Sequence, residues 1–153
     1  MSNTDLVSLK MIWEKAVVKP ASVQNRLTAD VEINPAMPPG VHYPDSRYDL
    51  NVRSFCQENE IRYTPWGVLW SNPDLVAECA KMADEVGVSA EVVLYACLQN
   101  FGWVVLCGTK RVERIKENLE GLETVRNFVK ASERNTEAWR VLVERVRALI
   151  DEE

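Results

Sequence analysis

A chain of 153 residues, 46% apolar and 27% charged, is long enough for one hydrophobic core and has the usage of a globular protein. Its 18 Lys and Arg against 23 Asp and Glu give a net charge of −5, and the pI near 5.1 argues against a general nucleic-acid or anionic-membrane surface. No run of about 18 apolar residues occurs and no basic-then-apolar leader follows Met1, so neither a membrane span nor a secretory signal is read.

Residues 5 to 16 place Leu6, Leu9, Ile12 and Trp13 on one face, predicting an amphipathic helix with Thr4 as its cap. A partly β-branched run from Val17 to Asn25 comes next and is expected to be a buried strand. Pro35, Pro38, Pro39, Gly40 and Pro44 then forbid sustained helix or central strand, so 31–47 is read as an exposed loop.

Helical spacing returns from Tyr48 to Asn59 through Leu50, Val52, Phe55 and Cys56. Ile61 to Trp66 is a second strand candidate, closed by Pro65. After a loop through Trp70, Ser71 and Asn72 precede Pro73 as caps of a helix expected to run to about Val86 and stop at Gly87. Ser89 caps the next helix, which buries Val92, Val93, Ala96 and Cys97 and ends near Gly102. The run WVVLC at 103–107 reads as a third strand, Lys110 to about Leu119 as a helix, and Trp139, Leu142, Val143, Val146 and Ile150 as the stripe of a last one. Cys56, Cys79, Cys97 and Cys107 lack C-x-x-C spacing and mostly sit in apolar segments, as reduced thiols of a cytoplasmic protein do.

Alternating helices and short apolar runs predict the α/β class, with about three parallel strands covered by helices. The third strand leads through Gly108 and Thr109 into a helix opening with Lys110, Arg111 and Arg114. Backbone N–H groups and cations at the end of a strand outline an anion site.

This last stretch resembles the final strand, loop and helix of the aldo-keto reductases. The likeness extends from about Leu6 to Ile150, leaving out the proline-rich insertion. KPASVQNR at 19–26 resembles the family's sixth barrel strand, FCQENEI at 55–61 the helix leading into the seventh, and AWRVLVER at 138–145 the closing helix of fungal members. The resemblance implies a partial (β/α) barrel of the TIM type that binds NADP(H) and acts on a carbonyl compound, in secondary metabolism or detoxification. It implies that Gln24 contacts the nicotinamide carboxamide, that Trp66 stacks on that ring, and that Gly67 and Leu69 line the pyrophosphate. Arg114, Glu117 and Asn118 match residues that hold the adenosine 2′-phosphate and adenine.

Two departures qualify the likeness. Many members carry lysine where Gly108 stands, so the phosphate grip here falls to Thr109, Lys110, Arg111, Arg114 and backbone N–H groups. The family's catalytic Asp, Tyr, Lys and His come from its first four strands, and this sequence matches only the later strands, so no catalytic residue is assigned. The single histidine, His42, stands beside Tyr43 and Asp45, which could in principle supply an acid and its orienting carboxylate, but one histidine with no fixed partner is read as part of an ordinary solvated loop. Trp70 offers a second stacking ring or simple rim packing. Glu117, Glu120 and Glu123 read as a wet helix face, with no metal site implied.

Three strands of an eight-stranded barrel leave two unpaired edges and a bare inward face. Self-association, docking on a full-length reductase, or coverage by the proline-rich segment and last helix is therefore expected, or else instability. The expected reading is a truncated reductase-like domain, with a non-catalytic nucleotide-binding or interaction remnant as the alternative.

Overall fold

The computed structural model describes residues 1–29 and 46–151. His42, Tyr43, Asp45 and most of the predicted 31–47 loop lie outside the described residues. Ser46 and Arg47, assigned to that loop, already open a helix.

In chain order the described elements are α1 (Leu6–Lys15), β1 (Ser22–Val23), α2 (Ser46–Glu58), β2 (Arg62–Tyr63), α3 (Pro73–Glu78), α4 (Ala80–Val86), α5 (Ala90–Asn100), α6 (Val112–Lys130) and α7 (Glu133–Asp151). Helix α1 starts as its periodicity predicts, but Asp5 caps it in place of Thr4, with Oδ1 accepting from the Ser8 N–H at 2.7 Å. Thr4 is buried, and its backbone bonds to Asn25.

The strands are shorter than expected. Val17 and Val18 are exposed, and β1 begins only at Ser22, where it pairs in parallel with β2 through Ser22 opposite Arg62 and Val23 opposite Tyr63. Parallel bridges extend this nucleus on either side, Ser2 with Gln24 and Arg26 with Trp66. The segment Met1–Asn3 therefore flanks β1 as an additional extended neighbour.

The expected third strand, 103–107, runs beside β2 without being a ladder strand. The Val104 N–H donates to Tyr63 O at 3.1 Å and the Leu106 N–H to Pro65 O at 2.9 Å, a parallel register of Val104 with Thr64 and Leu106 with Trp66. The reciprocal bond to Val104 O would have to come from the nitrogen of Pro65, which carries no hydrogen. Pro65 thus removes the central return bond and leaves an extended but one-sided pairing.

One face of this small sheet packs on helices. Val23, Asn25 and Leu27 alternate with residues of the other face and are buried, as are Ile61, Tyr63 and Pro65. Helix α5 supplies the centre of the core with Val92, Val93, Leu94, Tyr95, Cys97 and Leu98. Each such aliphatic side chain contributes about 1.5–3 kcal/mol of transfer free energy. Helix α7 adds Leu142, Val143, Val146 and Ile150, the predicted stripe.

Three helix boundaries depart from expectation. The helix predicted from Pro73 to Val86 is two, α3 and α4, joined at Cys79, whose N–H turns tightly back to Val76 O at 3.1 Å. Asn72 heads α3 without capping it; its amide donates at 2.8 Å to Leu27 O and Val68 O, binding the loop to β1. Helix α6 runs on to Lys130, well past Leu119, and carries Gly121 buried against α5. A Cβ at Gly121 would lie 2.9 Å from Val92 Cγ1, so the missing side chain lets the two helices approach. Among the described residues no helix is long and apolar enough to cross a membrane.

Candidate functional site

The sheet's second face carries part of the predicted cofactor set. Register places Ser2, Gln24, Thr64 and Val104 in one row, and Arg26, Trp66 and Leu106 in the next. Ser2, Val104 and Leu106 are exposed, and Gln24, Arg26, Thr64 and Trp66 are half-buried. Gln24 and Trp66 thus share a face toward the ends of their strands.

Two neighbours were not singled out from the sequence. The Trp66 indole N–H donates to Asn3 Oδ1 at 3.1 Å. The Arg26 guanidinium lies over the Trp70 ring at 4.2 Å and donates to Ser71 Oγ at 3.1 and 3.0 Å. Arg26 thus covers one face of the Trp70 ring, and the residue remains 69% exposed. Strict alternation from Gln24 would have put Arg26 on this face; Ser2 and Asn3 are too short a segment for any periodic signal.

Gly67, at φ +69°, makes the turn out of the Trp66 bridge, and an added Cβ would meet Arg26 and Trp70 at 3.3 Å. Leu69 is half-buried and packs against the core.

The predicted phosphate and adenine residues follow the 103–107 segment, on the rim that Trp66 and Gly67 also leave. Gly108 has open space around its Cα, and Thr109 Oγ1 accepts the Arg111 N–H at 3.1 Å. Arg111 is the N-cap of α6 and makes no side-chain cap bond, so the first N–H groups of a 19-residue helix are left without a side-chain acceptor. Lys110, Arg111 and Arg114 are exposed around them. A groove of about 460 Å³ runs between the start of α5 and this helix, lined by Ser89, Arg111, Arg114, Glu117, Asn118 and Glu120 among others.

Arg114 lies 3.7 Å from Glu91 with side chains 47% and 33% exposed, a loose ion pair that an incoming anion can replace. The Asn118 amide donates to Cys107 Sγ at 3.1 Å, and the Tyr95 hydroxyl to the same sulfur at 3.6 Å. These contacts tie α6, through Asn118, and α5, through Tyr95, to the end of the extended segment. A donor set of this kind can receive an anion, while Glu117 and Glu120 form a negative wall of the same groove.

Behind the sheet lies a buried polar cluster that periodicity does not predict. Asn25 Nδ2 donates to Thr4 O and to Asp49 Oδ2, both at 2.7 Å, and the Tyr63 hydroxyl donates to Asp49 Oδ2 at 3.0 Å. Burial, and next the Asp49 carboxylate, hold the Tyr63 hydroxyl well above its ordinary pKa. The Cys56 thiol is pushed up to about 12, first by burial and then by Asp49. Tyr63 is 3% exposed and faces the helices, away from Gln24 and Trp66. A cavity of about 340 Å³ opens near the start of β2, among Arg53, Arg62, Phe101, Trp103 and Arg147. Arg53 is committed there to Tyr48 O, Asp151 and Ile150 O, and Arg147 stacks on Phe101 at 4.4 Å. Those contacts tie α7 to α2, which makes this cavity a structural junction.

No protein-family description matches the chain, and no curated protein matches its sequence. Its structure is similar to the crystal structure of MGS-M4, an aldo-keto reductase enzyme from a Medee basin deep-sea metagenome library, with a TM-score of 0.59 at 18% identity. The match covers 92% of this chain and 46% of that one, so the chain spans less than half of the reductase's length. The likeness establishes an α/β architecture related to the TIM barrel, seen here as a helix-rich assembly around a short parallel sheet.

Proposed function

We propose that the chain carries the nucleotide-binding half of an aldo-keto-reductase-like (β/α) barrel and takes NADP(H). In this reading Gln24 and Trp66 hold the nicotinamide end, Gly67 and Leu69 flank the pyrophosphate, and Gly108, Thr109, Lys110 and Arg114 receive the 2′-phosphate, with Glu117 and Asn118 toward the adenine. One observation carries it: the extended segment 103–107 joins the sheet face bearing Gln24 and Trp66 to the groove bearing Arg114, with α6 presenting uncapped N–H groups at the joint. The nicotinamide would supply hydride chemistry toward a small carbonyl compound. This chain's own residues bind and orient, in a cytoplasmic setting that suits the buried free thiols of Cys56, Cys79 and Cys97.

A non-catalytic role is the second reading. Reduction of a carbonyl needs a proton donor about 3 Å from the substrate oxygen. Among the described residues, Tyr63 points into the core and Tyr95 is engaged with Cys107. These placements favour a pseudoenzyme that retains the nucleotide, with a full-length reductase as one partner it would serve.

Titration of the chain with NADPH, followed by tryptophan fluorescence, tests both readings. NADPH is expected to quench Trp66 with micromolar affinity. Arg114→Ala should weaken NADPH about tenfold, equivalent to about 1.4 kcal/mol, and leave NADH almost unchanged, because only NADPH carries the 2′-phosphate. Quenching that is absent, or indifferent to Arg114, contradicts the assignment. Turnover of a carbonyl by the purified chain would contradict the non-catalytic reading alone.

A further inference from the structure

Both ends of the sheet are open in the same way. At one end, Ser2 pairs with Gln24 on its inner side, and α1 comes after it with Val7 and Met11 exposed one turn apart. At the other, Val104 and Leu106 pair with β2, while the N–H groups of Val105 and Cys107 point outward and make no hydrogen bond among the described residues. Helix α6 comes after that edge with Val112, Ile115 and Leu119 exposed along one stripe. Val7 is 78% exposed and Leu119 63%. Among the described residues, an edge strand and the helix after it are thus left unpartnered at each end, and the face between them exposes Val104 and Leu106.

We infer that a second copy of this chain closes the structure. The inference rests on the half-barrel reading. Residues 1–3, β1 with its flanking bridges, β2 with its flanking bridges, and 103–107 make four parallel segments, half of the eight that close a (β/α) barrel. Two copies related by a twofold axis along the barrel bring the 103–107 edge of one beside Ser2 of the other, twice, with every segment parallel. The same rotation sets the α6 stripe of each copy against the α1 stripe of its partner. Both seams are alike, so no edge is left over, and growth stops at two. Gln24, Thr64, Val104, Trp66 and Leu106 then line the inner wall, which stays open at the rim where the strands end. Another protein on this surface would have to present the same edge and stripe, which a second copy already does.

Size-exclusion chromatography with light scattering at tens of micromolar should give one species of twice 17.4 kDa. Leu119→Arg, at a site exposed in one copy, should produce a monomer with unchanged helical circular dichroism. Adding Val7→Asp should restore the pair through the new opposite charges across the seam. A 17.4-kDa wild type, whether its face is bare or covered by residues 30–45, overturns the inference; so does a ladder of open oligomers, or a Leu119→Arg variant that stays paired. NADPH titration of wild type and Leu119→Arg separates this from the nucleotide assignment. A dimer that ignores NADPH removes that assignment and leaves the pairing, and a nucleotide-binding monomer does the reverse.

Discussion

Tyr63 and Asp49 show how a single buried hydroxyl becomes a measurable quantity. The Tyr63 hydroxyl donates to a carboxylate that is fully buried, and bonds to charged acceptors contribute about 1.5–3 kcal/mol. Tyr63→Phe should therefore lower unfolding free energy by about 2 kcal/mol at pH 8 in urea melts. The folded Tyr63 pKa is raised, so its contribution is complete below the unfolded value near 10 and is lost as pH rises beyond it. The gap between wild type and variant should narrow as pH climbs through about 10. A constant gap would show that Tyr63 ionises as readily folded as unfolded. Cys56, raised to about 12, adds its own alkaline loss from near 9 upward in both proteins. At this scale the sequence disclosed residue types but not meetings. Gln24 and Trp66 were singled out through resemblance alone, not through any local pattern. Asn25 and Asp49 were not, since they meet across 24 residues and neither fits an apolar period. Arg26 was hidden for a related reason, because its partner Ser71 comes from a loop 45 residues away.

Among elements, the α5–α6 crossing depends on Gly121. Replacing it with Ala improves helix propensity by about 1 kcal/mol but pushes a methyl against the stiff Val92 side chain, where overpacking costs about 1–3 kcal/mol. Gly121→Ala should destabilise by about 1 kcal/mol net, and adding Val92→Ala should relieve the clash, so that the two changes are non-additive in urea midpoints. A stabilised single variant would mean that the helices part freely. This glycine also explains why the sequence pattern alone ends α6 near Leu119. A glycine inside a helical pattern looks like a stop, and only packing on Val92 shows why the helix continues. Most other helices were legible from their 3.6-residue periods, together with Ser89 as cap and Gly87 as stop, the latter in the left-handed conformation. The third strand was legible as extended chain, whereas its missing return bond comes from Pro65, whose nitrogen falls beside Val104 O by a register that no local pattern encodes.

On the scale of the whole molecule, the parallel sheet gives every strand end the same direction, and this brings separate loops to a common rim. Trp66 with Gly67 leaves one strand end; Gly108 with Arg111 leaves its neighbour. The architecture was foreseeable from alternating helices and apolar runs, but the size of the sheet was not. Two-residue strands rely on isolated bridges and one-sided bonds, which carry no distinct sequence signal.

Amide hydrogen exchange with and without NADPH tests the central claim, that one nucleotide spans the sheet face and the α6 groove. Saturating NADPH should slow exchange both in 108–115 and around Gln24 and Trp66, with smaller protection from NADH in the first region. Protection confined to one of the two regions, or appearing instead in the cavity beside Arg53 and Trp103, would contradict it.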